Sequence, residues 1–314
     1  MGVDESTVPA GAITLNDTTY IYSMQVNHWG SNSQGTHAHG VLFEQHPDGT
    51  FVGLIDWPVD NLFVNTAPIA AKLPDGTPAI FMATTAQYRH SPIYLAYVIP
   101  SAIGDASSYR FLTGYDENGV PVWSSDMAEA EPLPGLARVW VGELSFLYEP
   151  FLNNYLLMFK DYSKTDSFSL YSSSAPYGPF MGPLSFYPCG TSSNRPDWME
   201  SGWGGCYGGY MLPGNFGPDG AELHFVVSLW DPYTTIIMTM RLSPASTNQT
   251  TTQNSAQSSP SAAAASTSPV NFPVALALQL SAAVLCCGAG VILARRYLSK
   301  TTNLYWKKLA DDMG

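Results

Sequence analysis

WVGELSFLYEPFLNNYLLMFKDY, running from Trp140 to Tyr162, holds two apolar runs on either side of a polar pair. Alternation sets Glu143, Ser145 and Leu147 on one face of a strand and Leu144, Phe146 and Tyr148 on the other. Asn153 and Asn154 tolerate the left-handed backbone that a tight turn requires, and Tyr155 to Phe159 follows as a second strand. A carboxylate near the start of such a strand needs a partner or water, because an isolated buried charge is costly. Glu143 is therefore expected at a cavity mouth or in an ion pair.

Outward from that hairpin the same order recurs. A polar or Gly-containing start leads into an apolar strand, a turn, a second strand, an aromatic polar loop and a third strand. It begins at VPAGAITL (Val8), NTAPIAAKL (Asn65), VGELSFLY (Val141) and YGGYMLP (Tyr207). Turn signals punctuate the chain at Asn16-Asp17, Asp48-Gly49, Asp75-Gly76, Asn118-Gly119, Asn153-Asn154 and Asp219-Gly220. Between Val8 and Leu242 no amphipathic helix of convincing length interrupts them. Four such sheets read as blades of a β-propeller, whose strands are nearly continuously apolar because both faces are covered. A β-sandwich is the alternative architecture.

Blade geometry suggests where chemistry collects. The innermost strand of a blade starts at one mouth of the central channel, and the loop between the second and third strands returns there. That mouth is expected to receive Glu143, with His28, Trp29, His37, His39, Arg89, His90, Asp161, Trp230, Asp231 and Tyr233. Acids, an arginine and aromatic faces converging on a concave site suit carbohydrate, since rings stack on sugars and polar groups bond hydroxyls. His37 and His39, with His28 and His46 nearby, have metal-like density, but their Gly/Ser/Asn loop offers no clear carboxylate ligand, so no metal is expected. No nucleophile elbow, phosphate loop or paired-histidine zinc helix is present, and no cofactor is expected.

Composition agrees with a turn-rich β protein: of 314 residues, 27 are Gly, 24 are Pro, 13% are aromatic and only 12% are charged. Net charge is −12. Setting aside the five basic and two acidic residues after Ala294 leaves 8 basic and 23 acidic side chains in the first 294 residues. That surface repels phosphate backbones and argues against nucleic acid as a partner.

The C-terminal quarter differs. Residues 244–272 form a Ser/Thr/Ala-rich linker with too few apolar side chains to fold. Residues 273–294 are uncharged and long enough for a single transmembrane helix, and the basic tail 295–314 places the C-terminus in the cytosol by the positive-inside rule. This predicts a single-pass cell-surface or secretory-pathway membrane protein with residues 1–243 as the ectodomain. Asn16 and Asn248 head glycosylation sequons, and Cys189 and Cys206, the two cysteines outside the span, are an expected disulfide. The opening MGVDESTVPAG has no apolar leader, so an N-terminal truncation that removes a signal peptide is expected.

VGELS (Val141 to Ser145), Arg89 ahead of IYLAYV, SAPYGPF (Ser174 to Phe180), YGGYMLP and SLWDPYTTIIMTM (Ser228 to Met240) resemble the family called domain of unknown function 4185. The resemblance covers about residues 8 to 243. It implies a five-bladed propeller akin to furanosidase-type glycoside hydrolases, some bacterial members of which are assigned as endo-D-arabinanases. It also implies that this chain enters after the first blade. On this reading the protein is a membrane-anchored, glycoside-hydrolase-like propeller that acts on or binds furanose-containing glycans. The alternatives are a non-catalytic carbohydrate-binding or adhesion module and, last, a receptor-like ectodomain. Whether it is an enzyme stays open. Glu143 and Asp231 are the candidate catalytic acids, and Arg89, Trp29, His37, Tyr207, Trp230 and Tyr233 the candidate sugar contacts.

Overall fold

The computed structural model describes residues 6–30, 36–59, 61–164, 167–190, 205–214, 216–231, 233–243 and 281–283. They form four antiparallel sheets, each laid down in chain order. The first holds β1 (Ser6–Leu15), β2 (Thr18–His28), β3 (His37–Gln45) and β4 (Phe51–Asp56). The second holds β5 (Asn65–Lys72), β6 (Pro78–Thr85), β7 (Tyr94–Val98), β8 (Arg110–Tyr115) and β9 (Pro121–Ser124). The third holds β10 (Val141–Glu149), β11 (Asn154–Asp161), β12 (Ser167–Ser173) and β13 (Met181–Phe186). The fourth holds β14 (Cys206–Met211), β15 (Glu222–Trp230), β16 (Tyr233–Arg241) and β17 (Ser281–Ala283). This is a four-bladed β-propeller, with β1, β5, β10 and β14 as inner strands.

The turn residues have the conformations their positions demand. Asn16 and Asp17 both take positive φ (46° and 66°) between β1 and β2, the geometry that matches a hairpin to strand twist. Asn153 does the same ahead of β11, with φ 52°.

Packing explains the order of the sheets. Tyr22 and Leu42 of the first sheet share a core with Ile80 and Phe111 of the second. Phe81 and Leu95 of the second meet Leu144 and Phe159 of the third. Met158 and Phe168 of the third meet Phe225 and Met238 of the fourth. Successive residues of β11, Met158 and Phe159, thus serve opposite cores, which is why that strand shows no alternation. In β15 and β16 buried and part-exposed residues alternate, so the fourth sheet buries one face against the third and leaves the other more open. Among the described residues no hydrophobic cluster joins the first sheet to the fourth.

Two expectations need correction. The five-bladed count, with its lost first blade, came from the resemblance; the residues carry four repeats, and the structure has four sheets. The membrane helix over 273–294 is also overturned. No helix among the described residues is long and apolar enough to cross a membrane, and Ser281–Ala283, inside that stretch, is a strand paired with Ile237 to Thr239. Three small residues fit a strand as well as a helix when no periodicity distinguishes them, and the rest of 273–294 lies outside the described residues. The single-pass topology, the membrane partner and the localisation derived from that helix fall with it. The linker 244–272, Asn248 and the tail 295–314 lie outside the described residues, as does the start of the chain before Ser6.

Cys189 and Cys206 are disulfide-bonded, with Cα atoms 6.0 Å apart, and tie the end of the third sheet to the first residue of β14. Close approach between those sheets depends on Gly209, where an added Cβ would sit 2.6 Å from the Phe168 ring. Gly209→Ala is expected to lower stability by about 2 kcal/mol through overpacking, read as an earlier urea midpoint with an unchanged slope.

Candidate functional site

Glu143 owes its direction to an irregularity in β10. Val141 pairs with Asp161 and Leu144 with Phe159, so Gly142 and Glu143 together oppose Lys160. Such a bulge bends the strand and re-aims a side chain. A second bulge lies in β14, between Tyr207 and Gly209, around Gly208 at φ 53°. A Cβ on Gly208 would lie 3.8 Å from the Glu143 side chain, so the two irregularities face each other.

Arg89 meets Glu143 from the loop between β6 and β7. Its Nη2 and Nε donate to Glu143 Oε1 at 2.6 and 3.1 Å, and the Tyr88 hydroxyl lies 3.5 Å from the same oxygen. The guanidinium carbon stands 4.6 Å from the Tyr88 ring centre, 4.9 Å from Tyr162 and 5.5 Å from Tyr207. A planar cation surrounded by three aromatic rings and a carboxylate is held electrostatically on every side. Arg89 also has φ 53°, a conformation unfavourable for a residue with a Cβ, kept by these surroundings. Oε2 of Glu143 is buried and has no hydrogen-bond partner among the described residues.

The electrostatics follow from this enclosure. Burial alone would lower the Arg89 pKa, but the Glu143 carboxylate outweighs it and holds the guanidinium firmly charged. The phenols of Tyr88, Tyr162 and Tyr210 are pushed up, by burial first and by Glu143 next. Tyr207 is pushed up to about 12 by burial, then by its hydrogen bond with Tyr233 and the Tyr233 charge, and then by Glu143. These phenols are neutral hydroxyl donors across the physiological range.

Other expected residues extend the cluster or stand apart. The Trp29 ring meets Tyr88 edge-on at 5.6 Å, with its indole N–H donating to Ser6 Oγ at 3.1 Å. Tyr233, 86% exposed, has its ring 6.3 Å from that of Tyr207. Arg89, Glu143, Tyr207, Trp29 and Tyr233 therefore form one chain of contacts. Trp230, 65% exposed, and Asp231 sit on the tip of the β15–β16 hairpin, where Asp231 makes no hydrogen bond or ion pair with a described residue. His37 lies exposed at the start of β3, its ring 6.2 Å from His28. His39 instead faces Asp56 at 3.0 Å. Asp161 is buried and turned toward Ser163 and Lys164. Among the described residues no group of three or more His, Cys, Asp and Glu side chains is placed to hold a metal.

Sequence reasoning missed Tyr88, Tyr162 and Tyr210. Each was in view: Tyr88 adjoins Arg89, Tyr162 closes the first stretch quoted, and Tyr210 lies inside YGGYMLP. Nothing separated them from ordinary core tyrosines until the bulges brought β10 and β14 together.

A family model described as a domain of unknown function (DUF4185) matches residues 1–239, from before β1 into β16. The chain belongs to the DUF4185 family. No curated protein matches it. Among solved structures, a putative hydrolase from Bacteroides ovatus is similar at 15% identity over 74% of this chain and 57% of that one, with a TM-score of 0.47. An exo-β-1,3-galactanase from Phanerochaete chrysosporium, solved with β-1,3-galactotriose, is similar at 8% identity over 75% of this chain and 47% of that one, TM-score 0.40. A GH43_1 enzyme from Xanthomonas citri complexed with xylotriose is 17% identical over 70% of this chain and 64% of that one, TM-score 0.35. This DUF4185 chain thus spans less than two thirds of each, and likeness at these scores decides nothing about its chemistry.

Two outcomes test the site. Arg89→Met, which leaves Glu143 buried without its cation, should cost about 3 kcal/mol, and adding Glu143→Gln should restore much of that, measured by chemical denaturation of both variants. The raised tyrosines give a second. Their folded pKa values exceed the unfolded value of about 10, so the unfolded chain loses its protons first and the stabilisation, complete below that pH, is lost as pH rises from about 10 toward 12. Melting temperatures should fall steeply over that interval, and less steeply in Tyr162→Phe.

Proposed function

We propose that the Glu143 mouth recognises a saccharide and holds it without cleaving it. The observation that carries this reading is the divided state of Glu143: one oxygen is taken by Arg89, and the other is buried with no partner among the described residues. A sugar hydroxyl is a neutral donor of the right kind for that oxygen, and reaches it once a neighbouring side chain at the mouth turns aside. The surrounding phenols of Tyr88, Tyr162 and Tyr207 supply further donors, and the exposed Tyr233 beside Tyr207 offers a flat face for a sugar ring.

Binding is favoured over hydrolysis by the count and condition of the acids. Glycoside hydrolysis generally needs two carboxyl groups flanking one bond, the proton donor among them kept neutral. Glu143 has one carboxylate oxygen committed to the Arg89 guanidinium at 2.6 Å, which occupies the atom a proton donor would use. Asp231, the expected second acid, is exposed on the tip of the β15–β16 hairpin. The acidic balance of the chain points to neutral rather than anionic sugars.

Titration against a panel of neutral oligosaccharides tests the reading. Saturable binding is expected for at least one, weakened about tenfold or more by Glu143→Gln, because a hydrogen bond to a charged group contributes roughly 1.5–3 kcal/mol. Tyr233→Ala should weaken it by a smaller factor, and no new reducing ends should accumulate. Absence of binding across the panel, or turnover that Glu143→Gln leaves unchanged, would sink the proposal.

A further inference from the structure

A concavity lies between the inner strands and runs along β10 away from Glu143. It measures about 640 Å³ and is walled by the inner strands, from Ala10 to Ala12, Ala67 to Lys72 and Leu144 to Tyr148, with Tyr210 and Met211. Strand direction places it. Glu143 stands near the start of β10, whereas the cavity follows that strand to Tyr148, takes in Asn153 and Tyr155 across the turn, and reaches Lys72 at the end of β5. It therefore approaches the mouth opposite Glu143.

The lining has an unusual charge balance. Lys72 is the sole charged residue among those that line the cavity, in a chain whose net charge is −12. Lys72 makes no ion pair or hydrogen bond through its side chain among the described residues, and it is exposed at the rim. The one acid at that end of β10, Glu149, is buried and turned away to accept the backbone N–H of Leu152 at 2.7 Å. Beneath the rim the wall is apolar: Ile69, Ala71, Leu144 and Met211 line it, and the Phe146, Tyr148 and Tyr155 rings sit side by side, the Tyr148 and Tyr155 centres 5.1 Å apart.

From this we infer that the far end of the channel is a binding site for a small organic monocarboxylate with a flat apolar body. The carboxylate sits on the Lys72 ammonium and the body enters between the inner strands. The volume falls within the range of small-molecule pockets, about 300–1,000 Å³, where apolar walls and a few polar groups divide affinity from orientation. Water-filled apolar space is costly to keep and easily given up to an apolar ligand, and a cation at the rim forms a charge-assisted contact with an anion. Among the residues that line the cavity Lys72 alone is charged, so it marks the end of the channel at which an anion would enter. This site is independent of the saccharide reading, since it uses none of the groups that hold Arg89.

Binding of cinnamate to the whole chain, followed by ligand-observed NMR and calorimetry with cinnamamide as the neutral counterpart, is the test. Expected are one saturable site, a preference for the acid of about tenfold, loss of that preference in Lys72→Met and its retention in Lys72→Arg. Ala12→Trp, at an exposed position on the cavity wall, should block both probes, while Glu143→Gln should change neither. Failure of cinnamate to saturate a site on the folded chain, equal affinity for acid and amide, or an unchanged preference in Lys72→Met would each overturn the inference.

Discussion

The second and third sheets of this propeller have more apolar side chains than one face can hold, and only a neighbouring sheet can cover the remainder. That constraint explains both the sequence and the architecture. Strands such as β6 and β11 are buried on both sides because each has a sheet before it and a sheet after it. β15 and β16 alternate because one of their faces has no such cover among the described residues. The burial of a Phe or Leu side chain contributes roughly 1.5–3 kcal/mol, so three shared cores outweigh any single polar contact in holding the blades together.

The polar site exists because the inner strands are not regular. A continuous β10 would send Glu143 to whichever face alternation dictates; the bulge at Gly142 and Glu143 directs it instead toward β14 and Arg89. Arg89 in turn adopts an unfavourable backbone conformation that its contacts must sustain. Burying a charge pair in this way is a poor route to stability compared with apolar packing. A pair enclosed by tyrosines, with one carboxylate oxygen unbonded among the described residues, is a feature that packing alone does not require.

The parts of the fold visible in the sequence were those set by local chemistry. Asn16-Asp17, Asp48-Gly49 and Asn153 each mark a turn because few other residues accept positive φ, and the four strand groups follow from those turns. Glu143 and Arg89 stood out because charge on an apolar strand or beside one requires an explanation. Blade number was not local; it was borrowed from a resemblance and came out one too high. The apolar run at 273–294 carried no period that would separate helix from strand. Tyr88, Tyr162 and Tyr210 stayed hidden for a related reason: a tyrosine ring packs like phenylalanine, and only the register between two bulged strands shows which hydroxyls share a site.

The Cys189–Cys206 bond closes a loop over a sequence separation of 17 residues, which restricts the unfolded chain by about 3 kcal/mol in a simple entropy model. It has a topological consequence as well. A protease that severs the backbone anywhere between those two cysteines would not release the fourth sheet from the third, because the cross-link bridges the cut. The nicked molecule would stay one covalent species, heavier by a water, until a reductant opened the cross-link and left only the shared core to hold the pieces.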